Sequence, residues 1–185
     1  GGLRVIDYKS GARKFDPTLV YWGLQLQLLL YLAAALSRVP GSHAAGFFYC
    51  RIADPTVKTE SRIREEVEKQ IAKKLSLQGI SLSDVAILRA QGGSVASMVT
   101  KDGKPNGRYA ASMVDEAGME KLLDFAKRKA AELAGEIYRG EMDDSPVERG
   151  AFNACQNCEY SAICAFDPMR KPRRRLTAKK LDDLL

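Results

Sequence analysis

The sequence predicts a single domain of the α/β class, with α+β as the alternative, on three observations. Two β-type runs flank a long apolar helical pattern, which is the order of a βαβ unit. Later segments show hydrophobic residues at helical spacing between recognisable caps. The 185 residues are 45% hydrophobic and 28% charged, enough apolar material for one core and not a disordered composition.

The first run, Leu3-Arg4-Val5-Ile6-Asp7-Tyr8-Lys9, ends at the turn residues Ser10-Gly11. Asp16 makes a good N-cap with Pro17 in the first helical position, and Phe15 and Val20 are spaced for a hydrophobic staple. This helix is expected to run to about Ser37, stopped by Pro40-Gly41. Its apolar stretch from Leu24 to Leu36 is broken by Gln25 and Gln27, so it reads as a buried helix and not a membrane span. Ala45 to Ile52 is apolar almost throughout, as a strand covered on both faces would be. Strand, helix, strand then predicts two parallel strands and a right-handed crossover.

Ile63, Val67, Ile71 and Leu75 mark a further helix, with Gly79 as its C-cap. Asp84 to Gln91 reads as a short strand, and Gly92-Gly93 and Asp102-Gly103 as turns. A long helix follows from Asp115 as N-cap to just before Gly140, with Met119, Leu122, Ala126, Ala130, Leu133 and Ile137 on one stripe. No internal repeat interrupts this order.

A net charge of +6 permits a polyanionic partner without requiring one. Its distribution says more: Arg170, Lys171, Arg173, Arg174, Arg175, Lys179 and Lys180 crowd the last sixteen residues. Such a tail either contacts phosphates or is simply solvated. No signal-peptide pattern precedes Leu3, and the C-x2-C arrangement favours a reducing compartment over a disulfide framework. A cytoplasmic location with no membrane partner is expected.

Three of the four cysteines stand as Cys155-x2-Cys158-x5-Cys164. Thiolates at that density imply a shared metal ion or iron–sulfur cluster, and spacing does not separate zinc from iron. The set is one ligand short, leaving Cys50, the single histidine His43, or another part of the polypeptide to complete it. Asp7 and Lys9, two apart on a strand, share a face. They could be a surface ion pair, or a carboxylate and ammonium serving phosphodiester hydrolysis with a divalent metal. Gln27 and Tyr31, at i and i+4, share a helix face. They could satisfy each other within the core, or arrange a nucleic-acid backbone or a metal's waters.

In this order the pieces resemble the PD-(D/E)xK nuclease superfamily and, within it, the RecB-like branch. Ile6-Asp7-Tyr8-Lys9 stands where that family has (D/E)-x-K, Gln27-Leu28-Leu29-Leu30-Tyr31 matches its Q-x3-Y helix, and the cysteine run looks like half of the cluster binding of its iron–sulfur members. Val5 to Gly11, Tyr21 to Gln27 and Cys164-Ala165-Phe166-Asp167 are similar to the C-terminal nuclease domain of a bacterial helicase–nuclease component in this branch.

The resemblance implies a partial restriction-endonuclease-like α/β core with helical insertions and a C-terminal cysteine segment. Residues 1–168 would be the C-terminal part of the nuclease domain, including the cluster-binding segment 155–164, and 169–185 a basic tail. It implies a Mg2+-dependent exonuclease that cuts single-stranded DNA leaving a helicase subunit during double-strand break repair. Asp7 and the Tyr8 carbonyl would bind Mg2+, Lys9 would position water, and Gln27 and Tyr31 would arrange DNA or the metal's waters. Cys155, Cys158 and Cys164 would hold three corners of a structural [4Fe–4S] cluster whose fourth ligand lies outside the chain, and Arg173, Arg174 and Arg175 would bind DNA.

The family's further metal-binding Asp and first cluster cysteine would precede Gly1, so the chain is expected to be a truncated piece, inactive alone. Cys50 then reads as a core cysteine and His43 as a loop residue. A non-catalytic DNA-binding or interaction module with a structural zinc or iron–sulfur site is the competing class.

Overall fold

The structure, a computed structural model, describes residues 1–58, 63–141, 143–150 and 152–185. Its main sheet contains, in spatial order, β1 (Gly2–Lys9), β2 (His43–Arg51), β3 (Gln78–Leu82) and β4 (Met113–Val114). β1 and β2 are parallel, β2 and β3 antiparallel, and β3 and β4 parallel. The expected βαβ unit is present, within a mixed α/β sheet.

β2 is the spine of the domain because it is covered on both sides. Phe47 and Phe48 are each 0% exposed, and successive side chains on a strand point to opposite faces. Phe47 joins the larger core with Val20, Leu29, Leu32, Ile80 and Leu122, whereas Phe48 joins a second core with Leu88, Val95 and Met98. Burying each such ring contributes about 1.5–3 kcal/mol.

The pairing of β1 with β2 slips by one residue between Leu3 and Arg4, leaving Ala45 as the extra residue of a bulge. Its carbonyl is not lost to the ladder unpaired: it accepts from Ser81 Oγ at 3.3 Å and Gln91 Nε2 at 3.2 Å. Beyond the bulge the register sets Asp7 against Tyr49 and Lys9 against Arg51.

The helix expected from Asp16 to about Ser37 is divided into α1 (Pro17–Tyr21) and α2 (Gln27–Arg38). Asp16 caps α1 as foreseen, its side chain accepting from the Thr18 amide. The break falls at Gly23, which has φ +79° and where a Cβ would sit 2.7 Å from Leu133 Cδ1. A left-handed glycine packed that closely reverses the chain and lets α2 start afresh. Leu26, Leu28, Leu29 and Leu32 are buried, but Leu24 lies in the break, exposed.

Three further expectations are corrected. Gly79 does not cap the helix α3 (Arg64–Lys74); it lies in β3, whose presence the sequence did not announce. Asp84–Gln91 is not a strand: Asp84 accepts from the Ile87 amide and caps the helix α4 (Val85–Gln91). His43 is the first residue of β2, exposed, and not a loop residue. Among smaller differences, Cys50 near the end of β2 is only half-buried, and α3 buries none of its residues.

Gly79 is required by a close approach and not by a turn. A Cβ there would lie 1.9 Å from the Phe47 carbonyl oxygen and 2.8 Å from Phe48 Cα, both main-chain atoms of β2. Backbone in the middle of a sheet cannot move aside as a side-chain tip can. Gly79→Ala is therefore expected to destabilise the domain by about 3 kcal/mol or more, at the upper end for overpacking. A urea midpoint equal to that of the parent would refute this.

After α5 (Gly93–Ala96) and a 3-10 turn at Gly107–Ser112, β4 leads into α6 (Glu116–Tyr138). Asp115 is its N-cap and Gly140, with φ +71°, follows its end, as expected. Met119, Leu122 and Ala126 of the stripe are buried, but Ile137 is 78% exposed because the helix outruns the core.

A second sheet, in the order β6-β5-β7, closes the C-terminal region: β5 (Val147–Arg149), β6 (Phe152–Asn153) and β7 (Arg174–Arg175). The last residues are docked on the body. Leu176 and Leu184 are buried, Trp22 Nε1 donates to the Thr177 carbonyl at 3.2 Å, and the Lys179 ammonium lies 4.3 Å from the Tyr21 ring centroid. Among the described residues no helix is long and apolar enough to cross a membrane.

Candidate active site

β1 presents Asp7 and Lys9 on the sheet face covered by α2, at the C-terminal end of the strand. The Lys9 ammonium lies 2.8 Å from Asp7 Oδ2 and donates to Gln27 Oε1 at 3.4 Å. Gln27 Nε2 in turn donates to the Tyr31 hydroxyl at 3.1 Å. The structure thus brings the four residues of the sequence pattern into one chain of contacts. Gln27 and Tyr31 are exposed, so their bond is not a private arrangement of the core.

The break between α1 and α2 makes this possible. It places Gln27 at the first turn of α2, beside the end of β1. Only one orientation of the amide serves both neighbours: its NH2 donates to the tyrosine, which leaves its oxygen to face the ammonium.

Asp7 Oδ2 is buried and, despite the nearby ammonium, has no hydrogen-bond partner among the described residues. The ammonium is close, yet not aligned as a donor. A buried carboxylate oxygen without a donor suits a hard divalent cation, which takes oxygen ligands. Tyr8 points its 61% exposed side chain to the opposite face.

Two residues near the site were not singled out in the sequence. Tyr49, register partner of Asp7, is 4% exposed. Burial pushes its phenol above the ordinary tyrosine value; Arg13 opposes the rise, Asp7 adds to it, and a hydrogen bond with Gln25 opposes it. Gln25, 7% exposed, donates to the Lys14 carbonyl at 2.8 Å and accepts from the Asp16 amide at 2.8 Å. It thereby fixes the segment of residues 10–16 that leads away from Lys9. The available signal was a polar residue inside an apolar run, a place where a glutamine needs partners.

The cysteines are arranged differently. Cys155, Cys158 and Cys164 lie on successive turns after β6, free of disulfides, the first two half-buried and the third exposed. The Cys158 amide donates to the Cys155 carbonyl at 3.3 Å and the Cys164 amide to that of Tyr160 at 2.8 Å. Among the described residues no three His, Cys, Asp or Glu side chains are gathered as a metal site. The base of the segment is tied by the pairing of β5 with β7, by Arg175 Nε and Glu148 Oε1 at 2.8 Å, and by Lys171 with Asp143 and Asp144.

Arg173, Arg174 and Arg175 take no part in the chain of contacts from Asp7 to Tyr31 and have other partners among the described residues. The Arg173 guanidinium lies 5.7 Å from the Phe166 ring centroid and Arg174 lies 6.0 Å from that of Trp22. Arg175 is held by Glu148.

A carboxylate and a lysine two apart at a strand end, a glutamine–tyrosine helix braced against them, and a mixed sheet between helices define a class of phosphodiester-cleaving enzymes. The chain belongs to the PD-(D/E)XK nuclease superfamily, whose model matches residues 1–165. Within it the domain is AddB-like. It is 37% identical over 177 residues to an ATP-dependent helicase/deoxyribonuclease subunit of Alkaliphilus metalliredigens, covering 89% of this chain and 15% of that protein. Proteins of the same name from Moorella thermoacetica and Clostridium tetani are 37% and 35% identical over 90% and 99% of this chain. The chain spans 15–17% of the length of these relatives.

Proposed function

We propose that this domain supplies the Asp-x-Lys part of a Mg2+-dependent deoxyribonuclease, an exonuclease that cuts single-stranded DNA delivered by an AddA-type helicase–nuclease partner during double-strand break repair in the cytoplasm. The observation that carries this reading is the continuous set Asp7, Lys9, Gln27 and Tyr31, with a buried Asp7 oxygen that lacks a hydrogen-bond donor. A surface ion pair would leave both carboxylate oxygens wet. Likeness to proteins named helicase/deoxyribonuclease supports the choice of DNA and of a helicase partner.

Asp7, with the Tyr8 carbonyl, would hold the divalent ion, which when bound polarises the phosphate and lowers the pKa of water. Lys9 orients the attacking water and offsets the charge that develops on the phosphoryl oxygens. Gln27 holds the ammonium in place by accepting from it. Tyr31 keeps the Gln27 amide from flipping, and both exposed polar groups can reach a DNA backbone.

Cys155, Cys158 and Cys164 would bind three corners of a [4Fe–4S] cluster, with the fourth ligand from outside this chain. Three free thiols on successive turns suit that group in kind, and its task would be to pin the C-terminal segment. Arg173, Arg174 and Arg175 would contact DNA, exchanging their present intramolecular partners for phosphates.

The reading is tested on the full-length protein that carries this domain, purified with its helicase partner. Cleavage of single-stranded DNA that starts with Mg2+ and stops on chelation is expected; cleavage indifferent to chelation would overturn it. The 185-residue chain by itself is expected to cleave feebly, since among the described residues Asp7 is the carboxylate within ion-pair reach of Lys9. Robust cleavage by the chain, lost in Asp7→Ala, would show that its own residues complete the site.

A further inference from the structure

A cleft on the described surface lies beside the candidate active site and not within it. It has a volume of about 640 Å3 and is bounded by Lys14 on the segment that follows β1, Gln78 of β3, Ser112, and Lys180 with Asp182 of the docked C-terminus. Asp7, Tyr49 and Gln78 occupy one row across three adjacent strands. Side chains in register on neighbouring strands share a face, and strands are spaced about 4.8 Å apart, so Gln78 stands about 10 Å from Asp7. Phe15, next to Lys14, packs edge-on against Phe47, with ring centroids 5.3 Å apart, which places the segment over this same face.

The cations of the cleft are available. Among the described residues neither Lys14 nor Lys180 has a carboxylate within ion-pair distance, and both are exposed. Two ammonium groups face the cleft with Asp182, while the Asp183 carboxylate is turned to the Lys180 amide, from which it accepts at 2.6 Å. Lys14 is also held in place, because Gln25 grips its carbonyl and the amide of Asp16. The Arg13 guanidinium acts on the Tyr49 hydroxyl, which sets a further positive charge near the row of Asp7, Tyr49 and Gln78.

We propose that this cleft is a phosphate-binding subsite for the single strand being cut, in which Lys14 and Lys180 hold a backbone phosphate a few nucleotides along from the one at Asp7. The subsite rests on the nuclease reading above. A span of about 10 Å is covered by about three phosphates of a strand at stacked spacing. The depth of the cleft takes a nucleotide, and Ser112 and Gln78 offer it hydrogen bonds without sequence preference. Bound strand would thereby be fixed to one side of the scissile bond as well as at it, a positioning role and not a chemical one.

The test measures binding of the 185-residue chain to a fluorescein-labelled oligothymidylate by anisotropy, without divalent metal, across a series of salt concentrations. Lys14→Ala and Lys180→Ala should each lower the slope of log K against log salt by about 0.7, and the double variant by about twice that. Lys101→Ala, at an exposed lysine that does not line the cleft, should leave the slope alone. Ala111→Trp, which fills the cleft without changing charge, should weaken binding as well, and thermal melting of each variant checks that the fold persists. Thymidine monophosphate should compete only weakly, since a strand and not a free nucleotide is the occupant.

Unchanged slopes in both lysine variants, with normal binding by the parent, would overturn the subsite and leave the Asp7 reading intact. Full displacement by the mononucleotide would assign the cleft to free nucleotide instead and equally overturn it. Failure of the parent chain to bind the strand at all would remove the subsite too, whereas the nuclease reading stands or falls separately on Mg2+-dependent cleavage by the full-length protein.

Discussion

Asp7→Ala in the full-length protein should abolish single-strand cleavage while leaving strand binding and the fold in place. Asp7 would be a metal ligand and Lys9 would stabilise developing charge, so each acts on the reacting phosphate and not on the ground-state grip of the DNA. Removing one such group typically costs about two to three orders of magnitude in turnover. Losing a metal ligand should reach at least that. The effect on stability should be small, because the buried Asp7 Oδ2 has no hydrogen bond to lose and the Lys9 ammonium, 31% exposed, keeps contact with water when the carboxylate is removed.

Lys9→Ala is expected to give the same loss of turnover. Gln27→Ala should lower it less, by freeing an ammonium that Asp7 still attracts. The measurements are single-turnover cleavage rates and anisotropy on the same preparations. An Asp7→Ala protein that cuts at the parental rate would place the chemistry elsewhere.

Serine at Cys155, Cys158 or Cys164 should bleach the visible absorbance of the full-length protein and expose its C-terminal segment to protease. Cys50→Ser should do neither. Cys50 lies half-buried near the end of β2, opposite Tyr8, on the main sheet, whereas the other three follow the small sheet built by β5, β6 and β7. The cost of a serine at Cys50 is packing alone, at most about 1–3 kcal/mol for a hydroxyl without a certain partner. The segment already has ties of its own in Arg175–Glu148 and Lys171 with Asp143 and Asp144, so bleaching should loosen it without unfolding the main domain. Loss of colour in Cys50→Ser would bring the fourth ligand inside this chain and overturn its assignment to another part of the polypeptide.

Local rules determined much of this protein. Strand alternation alone puts Asp7 and Lys9 on one face, and helical spacing alone puts Gln27 over Tyr31. Asp16 and Asp115 cap their helices because a carboxylate beside free amides is a local arrangement that needs no distant partner. The apolar run at Ala45 to Ile52 announced a strand buried on both faces, which holds from Ala45 to Tyr49, whereas Ile52 lies past the end of β2, exposed.

Contacts between distant segments decided the rest. Gly79 read as a helix stop because its real constraint, the main chain of β2 at 1.9 Å from where a Cβ would be, is invisible along the chain. Asp84 to Gln91 looked like a strand, but its leucine-bearing face had a helical partner to bury against in the second core, where Leu88 meets Phe48. The helix breaks at Gly23, whose left-handed backbone packs against Leu133 more than a hundred positions away, and that break brings Gln27 to Lys9 and turns Gln25 toward Tyr49. Apolar patterning states which residues must leave water, but not which surfaces will receive them. Here that choice fell to tertiary packing, which joined the four residues of the site and laid the cleft of Lys14 and Lys180 beside them.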